Sequence, residues 1–315
     1  MITESCDAGV VGAGPCGVAA AVQLTRSGWR VRLFEEHRVG GLVHNADLVE
    51  NYPGFPRGIR GPRLGRLLEQ HLAAVGIEAL KARVEHLRRR RCGYELITRK
   101  GRRVRCEVVI LATGSEPRTG LVGEPPELVA RGVFYEVADL PAGLAGRRVL
   151  IAGGGDAAHD YALNLARRGA EVMLLIRGAP CCLALLADRV GAQPGITVLA
   201  PVVISRIAAQ GTDGVSVTCD LPSGTRVVSA DLLVVACGRR PRDILLRRLD
   251  RSGTIDHPPP STSDLVAGRV QRGAGLFAGG DLIRGGHRQA GIAVGDGLRI
   301  AMAAADYLKR QAAGH

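Results

Sequence analysis

One pattern narrows the fold more than any other. An apolar strand runs into a glycine-rich turn and then into a helix of small residues, and it does so twice. The first copy is Asp7 to Leu24, where the apolar run ends in Gly12, Gly14 and Gly17 and continues as Val18-Ala19-Ala20-Ala21-Val22. The second is Arg148 to Leu165, where Val149-Leu150-Ile151-Ala152 leads to Gly153, Gly154 and Gly155 and then to Asp156-Ala157-Ala158. Each is followed by another apolar strand, Arg30–Phe34 and Glu171–Ile176. Strand, turn, helix, strand is a βαβ start, which implies a parallel sheet with a crossover helix. The expected fold class is α/β, with two Rossmann-like, doubly wound, three-layer domains. The two copies lie at residues 12 and 153, a separation beyond any solenoid period.

The connecting stretches fit that plan. Tyr94–Thr98 and Arg103–Ala112 alternate like strands, as do Val215–Cys219 and Leu232–Gly238. A polar, proline-rich stretch, Asp256–Ser263, reads as a surface loop, and Gly291–Tyr307 as an alanine-rich helix. No run of about 18 apolar residues exists, so no membrane span is expected. The start MITESC lacks a basic region before its apolar segment, so no signal peptide is expected and the expected location is the cytoplasm.

Charge bears on partners. The 42 Lys and Arg against 30 Asp and Glu give +12, yet aromatics are only 3%, too few for a base-stacking surface. No nucleic acid partner is expected. Arg88–Arg91, Arg99, Lys100, Arg102, Arg103 and Arg105 form a dense basic hairpin. It would steer an acidic partner, or else be a solvated surface. The eight cysteines include no CxxC pair, and His44, His71, His159, His257 and His287 lack metal-ligand spacing, so no metal site is expected.

The glycine turns carry the chemistry. Gly12-Ala13-Gly14-Pro15-Cys16-Gly17 fits GxGxxG: one glycine for the turn, one to let backbone approach a pyrophosphate, one for helix-on-strand packing. Glu35 ends the next strand at the roughly 20-residue distance of a ribose-binding acid. Gly153-Gly154-Gly155-Asp156-Ala157-Ala158 fits GxGxxA, but its second strand ends in Ile176-Arg177-Gly178, with no carboxylate and only one arginine. The alternative at this second turn is a nucleotide site retired from use.

With these residues in view, the whole chain resembles the low-molecular-weight thioredoxin reductase family of FAD/NAD(P)-dependent flavoproteins. Gly12–Gly17, Glu35, Gly40-Gly41, Glu50–Phe55, Ala112-Thr113-Gly114, Gly153–Ala158, Gly280-Asp281 and Arg288-Gln289-Ala290 match in order. The resemblance implies a split FAD domain, residues 1–117 and 244–315, around an NAD(P) domain, 118–243, and a homodimer. It implies that Gly12, Gly14, Pro15 and Cys16 hold the FAD pyrophosphate, Glu35 and Glu36 lie at the adenosine ribose, and Val84 meets the adenine. Gly41, Leu42 and Asn51 would line the flavin, and Ala112, Thr113 and Gly114 would also bind FAD. Gly280 and Asp281 would bind the ribityl chain, and Arg288, Gln289 and Ala290 the pyrimidine edge. Gly153, Gly155, Asp156, Ala157, Ala158, Arg177 and Gly238 would bind NADH or NADPH. The lone Arg177 tilts the expectation to NADH, because NADPH-specific members carry His-Arg-Arg there.

The chain also departs from that family. Where thioredoxin reductases carry their CxxC pair, this chain has Gly132-Val133-Phe134-Tyr135-Glu136-Val137-Ala138-Asp139-Leu140. That run is similar to thioredoxin-reductase-like ferredoxin–NAD(P) reductases. The expected activity is therefore an FAD-dependent NAD(P)H oxidoreductase whose acceptor is an acidic iron–sulfur protein, a ferredoxin or a radical-SAM enzyme such as a lipoyl synthase. Positioning does the work of hydride transfer, with no catalytic side chain. One alternative is a low-molecular-weight or protein disulfide reductase using Cys16 or an external dithiol; related disulfide reductases carry Cys at this place, and a helix N-terminus lowers a thiol pKa. Against that, Cys16 is equally a small residue packed near the pyrophosphate. A second alternative is a non-catalytic flavin redox sensor. Cys181-Cys182 reads as two buried thiols at the adenosine end of the nucleotide.

Overall fold

The computed structural model describes residues 4–211, 214–251 and 275–313. The proline-rich stretch Asp256–Ser263 lies outside them. The described chain divides into two units, Met1–His44 with Glu50–Glu116 and Pro241–His315, and Asn45–Val49 with Pro117–Arg240.

The first unit opens with β1 (Glu4–Val11), α1 (Pro15–Arg26) and β2 (Val31–Glu35). α2 (Gly61–Ala74) follows; Pro62 sits in its first turn, and Leu64, Leu68 and Leu72, spaced one turn apart, face inward. Then come β3 (Leu80–Lys81), β4 (Val84–Arg89), β5 (Tyr94–Thr98) and β6 (Arg103–Leu111). β7 (Ser115–Pro117) leads out of the unit.

The second unit holds β8 (Val133–Phe134), β9 (Arg148–Ala152), α3 (Asp156–Arg167), β10 (Glu171–Leu175), α4 (Ala184–Ala192), β11 (Ile196–Leu199) and the meander β12 (Val203–Gln210), β13 (Gly214–Leu221) and β14 (Gly224–Ala230). β15 (Leu232–Val235) closes its sheet and β16 (Arg239–Pro241) leads back. α5 (Ile244–Arg251), β17 (Leu276–Ala278) and α6 (Ala290–Ala313) complete the first unit.

The first sheet runs β3-β2-β1-β6-β5-β4, with β17 also on β6. β6 serves two partners along its length. Its first half, Arg103–Cys106, pairs antiparallel with β5, and Val109–Leu111 pairs parallel with β17. On its other edge it lies parallel to β1, in register Val11↔Leu111. That register sets the first glycine turn beside Ala112, one residue past β6. One face of the sheet buries Phe34, Leu87, Leu96, Val109 and Leu111 against α5 through Leu245, Leu246 and Leu249. α1 packs on α6, and Gly297 makes this close: a Cβ there would lie 2.2 Å from the Cys16 carbonyl oxygen.

The second unit is a three-layer sandwich. Its parallel sheet runs β11-β10-β9-β15-β8. Val149, Ile151, Leu174 and Val234 pack on one face against Ala158, Tyr161, Ala162 and Leu165 of α3. Leu150, Leu175, Leu233 and Val235 pack on the other against Val215, Val217, Cys219 and Val228 of the meander. The alternation of period two sends neighbouring residues to opposite layers, which is why these strands are apolar throughout. The molecule is α/β with two Rossmann-like dinucleotide-binding units. Among the described residues, no helix is long and apolar enough to cross a membrane.

Candidate functional site: two glycine turns

The first turn is built by clashes that only glycine avoids. Gly12 has φ +100°, and a Cβ on it would lie 2.3 Å from the Ala112 carbonyl oxygen. A Cβ on Gly17 would lie 1.8 Å from the Gly12 carbonyl oxygen. Gly14 differs: it caps α1 with no side-chain hydrogen bond, and a Cβ there would meet nothing within 4 Å. The first-turn N–H groups of α1 therefore face open space, which suits a phosphate. Glu35 closes the turn by accepting the Ala13 N–H at 2.7 Å and the His37 N–H at 2.8 Å. Gly41 lies against Gly14, its missing Cβ 3.4 Å from the Gly14 Cα, and Leu42 follows in a short helical turn. Glu36 accepts from Arg83 at 3.1 Å, so it is engaged with protein. Val84 begins β4 with its side chain buried.

The far end of the chain returns to the same place. Asn51 donates to the Gln289 side-chain oxygen at 2.9 Å, joining two residues singled out separately in the sequence. Thr113 donates to the Arg242 carbonyl at 2.8 Å, and the Arg242 N–H returns to Gly114 at 3.0 Å. Gly280 has φ +67° and donates its N–H to Asp296 at 3.2 Å. Ser115 donates to Asp281 at 3.4 Å. Arg288 Nε is buried without a hydrogen-bond partner, just before Ala290 opens α6. A buried guanidinium nitrogen calls for an acceptor, and an electron-rich flavin edge supplies one. The open turn, the Glu35 carboxylate at the end of β2 and the orphaned Arg288 donor fit FAD. When bound, FAD supplies hydride acceptance and onward electron transfer.

Two site residues escaped the sequence reading. Asp296, only 3% exposed, binds Arg284 Nε at 2.8 Å as well as the Gly280 N–H. Burial would raise its pKa, but the Arg284 guanidinium and the Gly280 N–H outweigh that and hold it below the usual carboxylate range. The one signal in the sequence was an acid on the inward face of an alanine-rich helix.

Cys16 does not behave as a helix N-terminus predicts. It is 4% exposed and sits under the Gly279-Gly280 turn; a Cβ on Gly280 would lie 2.9 Å from its own. Burial, then Asp296 and Asp281, push its thiol pKa up to about 12. The expected lowered pKa is thus reversed, and Cys16 is no ready nucleophile.

The second turn repeats the design. Gly153 has φ +149°, with a Cβ position 2.6 Å from the Ala236 carbonyl oxygen and 3.2 Å from the Ala158 methyl. Gly155 caps α3 without a side-chain bond. Asp156 is turned aside to accept the Leu183 N–H at 2.8 Å. Ala157 and Arg177 are exposed, and Gly238 has φ +107°. Cys181 is exposed and Cys182 half-buried, so they are not the two buried thiols expected.

The run that suggested an iron–sulfur acceptor is occupied internally. Glu136 accepts from Asn45 at 2.7 Å and Tyr161 at 3.1 Å and pairs with Arg239. Tyr135 donates to Glu124 at 2.8 Å, and the Ala138 N–H to Asn45 at 2.9 Å. The basic hairpin is partly neutralised: Arg99 pairs with Glu85 at 2.8 Å, Arg90 with Glu95, and Arg102 with Glu4. Among the described residues, no group of three His, Cys, Asp or Glu is placed to hold a metal.

Known proteins place this chain. Residues 7–297 match the family described as pyridine nucleotide-disulphide oxidoreductase. Thioredoxin reductase of Treponema pallidum is 30% identical over 305 residues, covering 95% of this chain and 96% of that protein. A bifunctional thioredoxin reductase/thioredoxin of Mycobacterium leprae is 30% identical over 96% of this chain. The chain spans only 66%, 58% and 59% of the lengths of three longer relatives. The Lactococcus lactis thioredoxin reductase structure superposes with a TM-score of 0.83 at 26% identity, covering 97% of this chain and 99% of that one. These likenesses correct the expectation of an iron–sulfur acceptor: the Treponema pallidum and Lactococcus lactis proteins, each matched over nearly its whole length, are named thioredoxin reductase. The residues behind that expectation serve the internal bonds of the second unit. The chain belongs to the pyridine nucleotide-disulphide oxidoreductase family.

Proposed function

We propose that the enzyme reduces a disulfide carried by a protein substrate of the thioredoxin type, with electrons from NAD(P)H. The observation that carries this reading is the end-to-end likeness to thioredoxin reductase of Treponema pallidum. The balance is one NAD(P)H and one proton consumed per disulfide opened to two thiols. No CxxC pair exists in the sequence, and the buried Cys16 thiol stays protonated at neutral pH. The disulfide therefore comes to the flavin from outside, on the substrate or on an external dithiol carrier.

In this reading Gly14 and the start of α1 hold the FAD pyrophosphate and Glu35 the ribose. Asp281 orients the ribityl chain, and Arg288 with the Gln289-Ala290 backbone stabilises negative charge at the pyrimidine edge. Gly153, Gly155 and Gly238 receive the nicotinamide nucleotide. The exposed, solitary Arg177 favours NADH over NADPH, since a 2′-phosphate calls for paired cations. The working form is a homodimer.

The test is anaerobic. Protein reduced with NADH is mixed with oxidised thioredoxin, and flavin absorbance near ~450 nm is followed alongside free thiol. Return of the oxidised spectrum with stoichiometric thiol supports the proposal. A flavin that stays reduced with every protein disulfide and dithiol carrier offered contradicts it.

A further inference from the structure

The vicinal cysteines have no part in the chemistry above, yet the fold sets them on the second glycine turn. The Cys181 N–H donates to the Gly154 carbonyl at 2.8 Å, and Cys181 and Gly155 form an isolated parallel bridge. On the far side, the Leu183 N–H is tied to Asp156 at 2.8 Å. The segment is thus pinned on both sides of the pair. The Cys181 sulfur lies 4.0 Å from where a Cβ of Gly155 would stand, and beyond Gly155 and its immediate backbone neighbours nothing else comes that near this point. The space over Gly155, at the N-terminus of α3, is where a nucleotide pyrophosphate belongs. One sulfur therefore stands at the edge of a phosphate site and is open to solvent.

We propose that Cys181 is a thiolation site: a low-molecular-weight disulfide forms a mixed disulfide with it, and the attached group shuts the nicotinamide nucleotide out of the Gly153–Gly155 turn. This rests on reading that turn as the nucleotide site. The Cys181 thiolate attacks one sulfur of RSSR, the S–S bond breaks, Cys181–S–SR forms, and RS⁻ leaves and takes up a proton. One disulfide is exchanged for another, so no outside oxidant is needed. Excess free thiol runs the step backwards and reopens the site. Cys182 is the poorer target, being half-buried, with a thiol pushed up by burial and by Asp156. Adjacent cysteines close only a strained ring, which leaves the mixed disulfide on Cys181 as the resting product.

The test uses the FAD-loaded full chain, with oxidised glutathione as the probe. Peptide mapping reads the adduct, and anaerobic flavin bleaching is measured against NADH and NADPH concentration. Expected are an adduct on Cys181 and a nucleotide requirement raised about tenfold or more. Reduced glutathione reverses both. Dithionite bleaches treated and untreated flavin alike. The Cys181→Ser protein shows the same nucleotide dependence with and without treatment. In the natural chain, prior saturation with NAD⁺ or NADP⁺ slows labelling of Cys181, a readout that does not depend on the variant. An adduct on Cys181 with unchanged nucleotide dependence overturns the inference, as does labelling of Cys92 with none at Cys181. Untreated protein that neither nucleotide bleaches, while dithionite does, sinks the reading of the turn itself.

Discussion

Gly14 and Gly17 sit three residues apart and answer to different demands. A methyl on Gly17 collides with backbone at 1.8 Å, whereas a methyl on Gly14 meets no protein atom within 4 Å. Gly17→Ala should therefore lower stability by about 1–3 kcal/mol, the usual cost of overpacking, seen as a fall in Tm of the flavin-free chain. Gly14→Ala should leave that Tm nearly unchanged and weaken FAD retention by about tenfold or more, read from the flavin-to-protein ratio after dialysis. Both glycines were legible as a motif, and so was Glu35, because a dinucleotide-binding turn sets its glycines and its ribose acid at fixed spacing. The state of Cys16 was not legible. Its burial under Gly279-Gly280 and its closeness to Asp296 come from residues far along the chain. Its raised pKa gives a signed prediction. The unfolded thiol ionises above its ordinary value of 9.0, while the folded one holds its proton to about 12. The folded form binds more protons in that window, so this contribution is full below pH 9 and is lost as pH rises towards 12. Cys16→Ala should show a shallower loss of stability over that range, measured by denaturant unfolding, and should keep disulfide reduction.

Strands and helices of the two βαβ starts were readable from hydrophobic period and glycine placement. β5 came out as Tyr94–Thr98, and the tail helix begins one residue before the expected Gly291 and runs on to Ala313. α2, α4, α5 and β14 were not read: they carry few apolar residues or sit beside glycine and proline, and packing on a neighbour decides their state. The same reason hid the link between α6 and the Gly279–Leu282 turn. Asp296 reaches from one to the other, and Arg284 covers it. Asp296→Asn keeps the shape and removes the charge, and should cost about 1–3 kcal/mol, less than a fully buried pair because Arg284 is partly exposed. It should also loosen the turn that presents Asp281, lowering flavin retention. The Asp296 carboxyl is held below its ordinary 3.8. Its stabilisation is therefore present above about that pH and fades as acid protonates the folded form. The natural protein should accordingly lose more stability than Asp296→Asn on acidification below pH 4.

At the scale of the whole molecule, composition and motif order were enough for an α/β flavoprotein with two nucleotide-binding units. They were not enough for the acceptor. The Val133–Leu140 run was read as a sign of an iron–sulfur partner because it stands where a CxxC pair is missing and resembles the run of thioredoxin-reductase-like ferredoxin–NAD(P) reductases, but Glu136, Tyr135 and Ala138 are engaged within their own unit. A missing dithiol says how electrons do not leave; it does not name what receives them. Leu298 and Met302, one turn apart on α6, are exposed apolar side chains, and the proposed homodimer gives them cover. Sedimentation should show a dimer, and Met302→Glu should shift it towards monomer. The most direct measurement is an anaerobic reductive titration of the FAD-loaded enzyme with NADH, followed by oxidised thioredoxin. The account predicts uptake of about one two-electron equivalent per flavin, since no CxxC pair is present to store a second pair, and return of the oxidised spectrum as the substrate disulfide opens. Uptake of a second equivalent before the flavin is fully bleached, or a flavin that NADH and NADPH both leave oxidised, would contradict it.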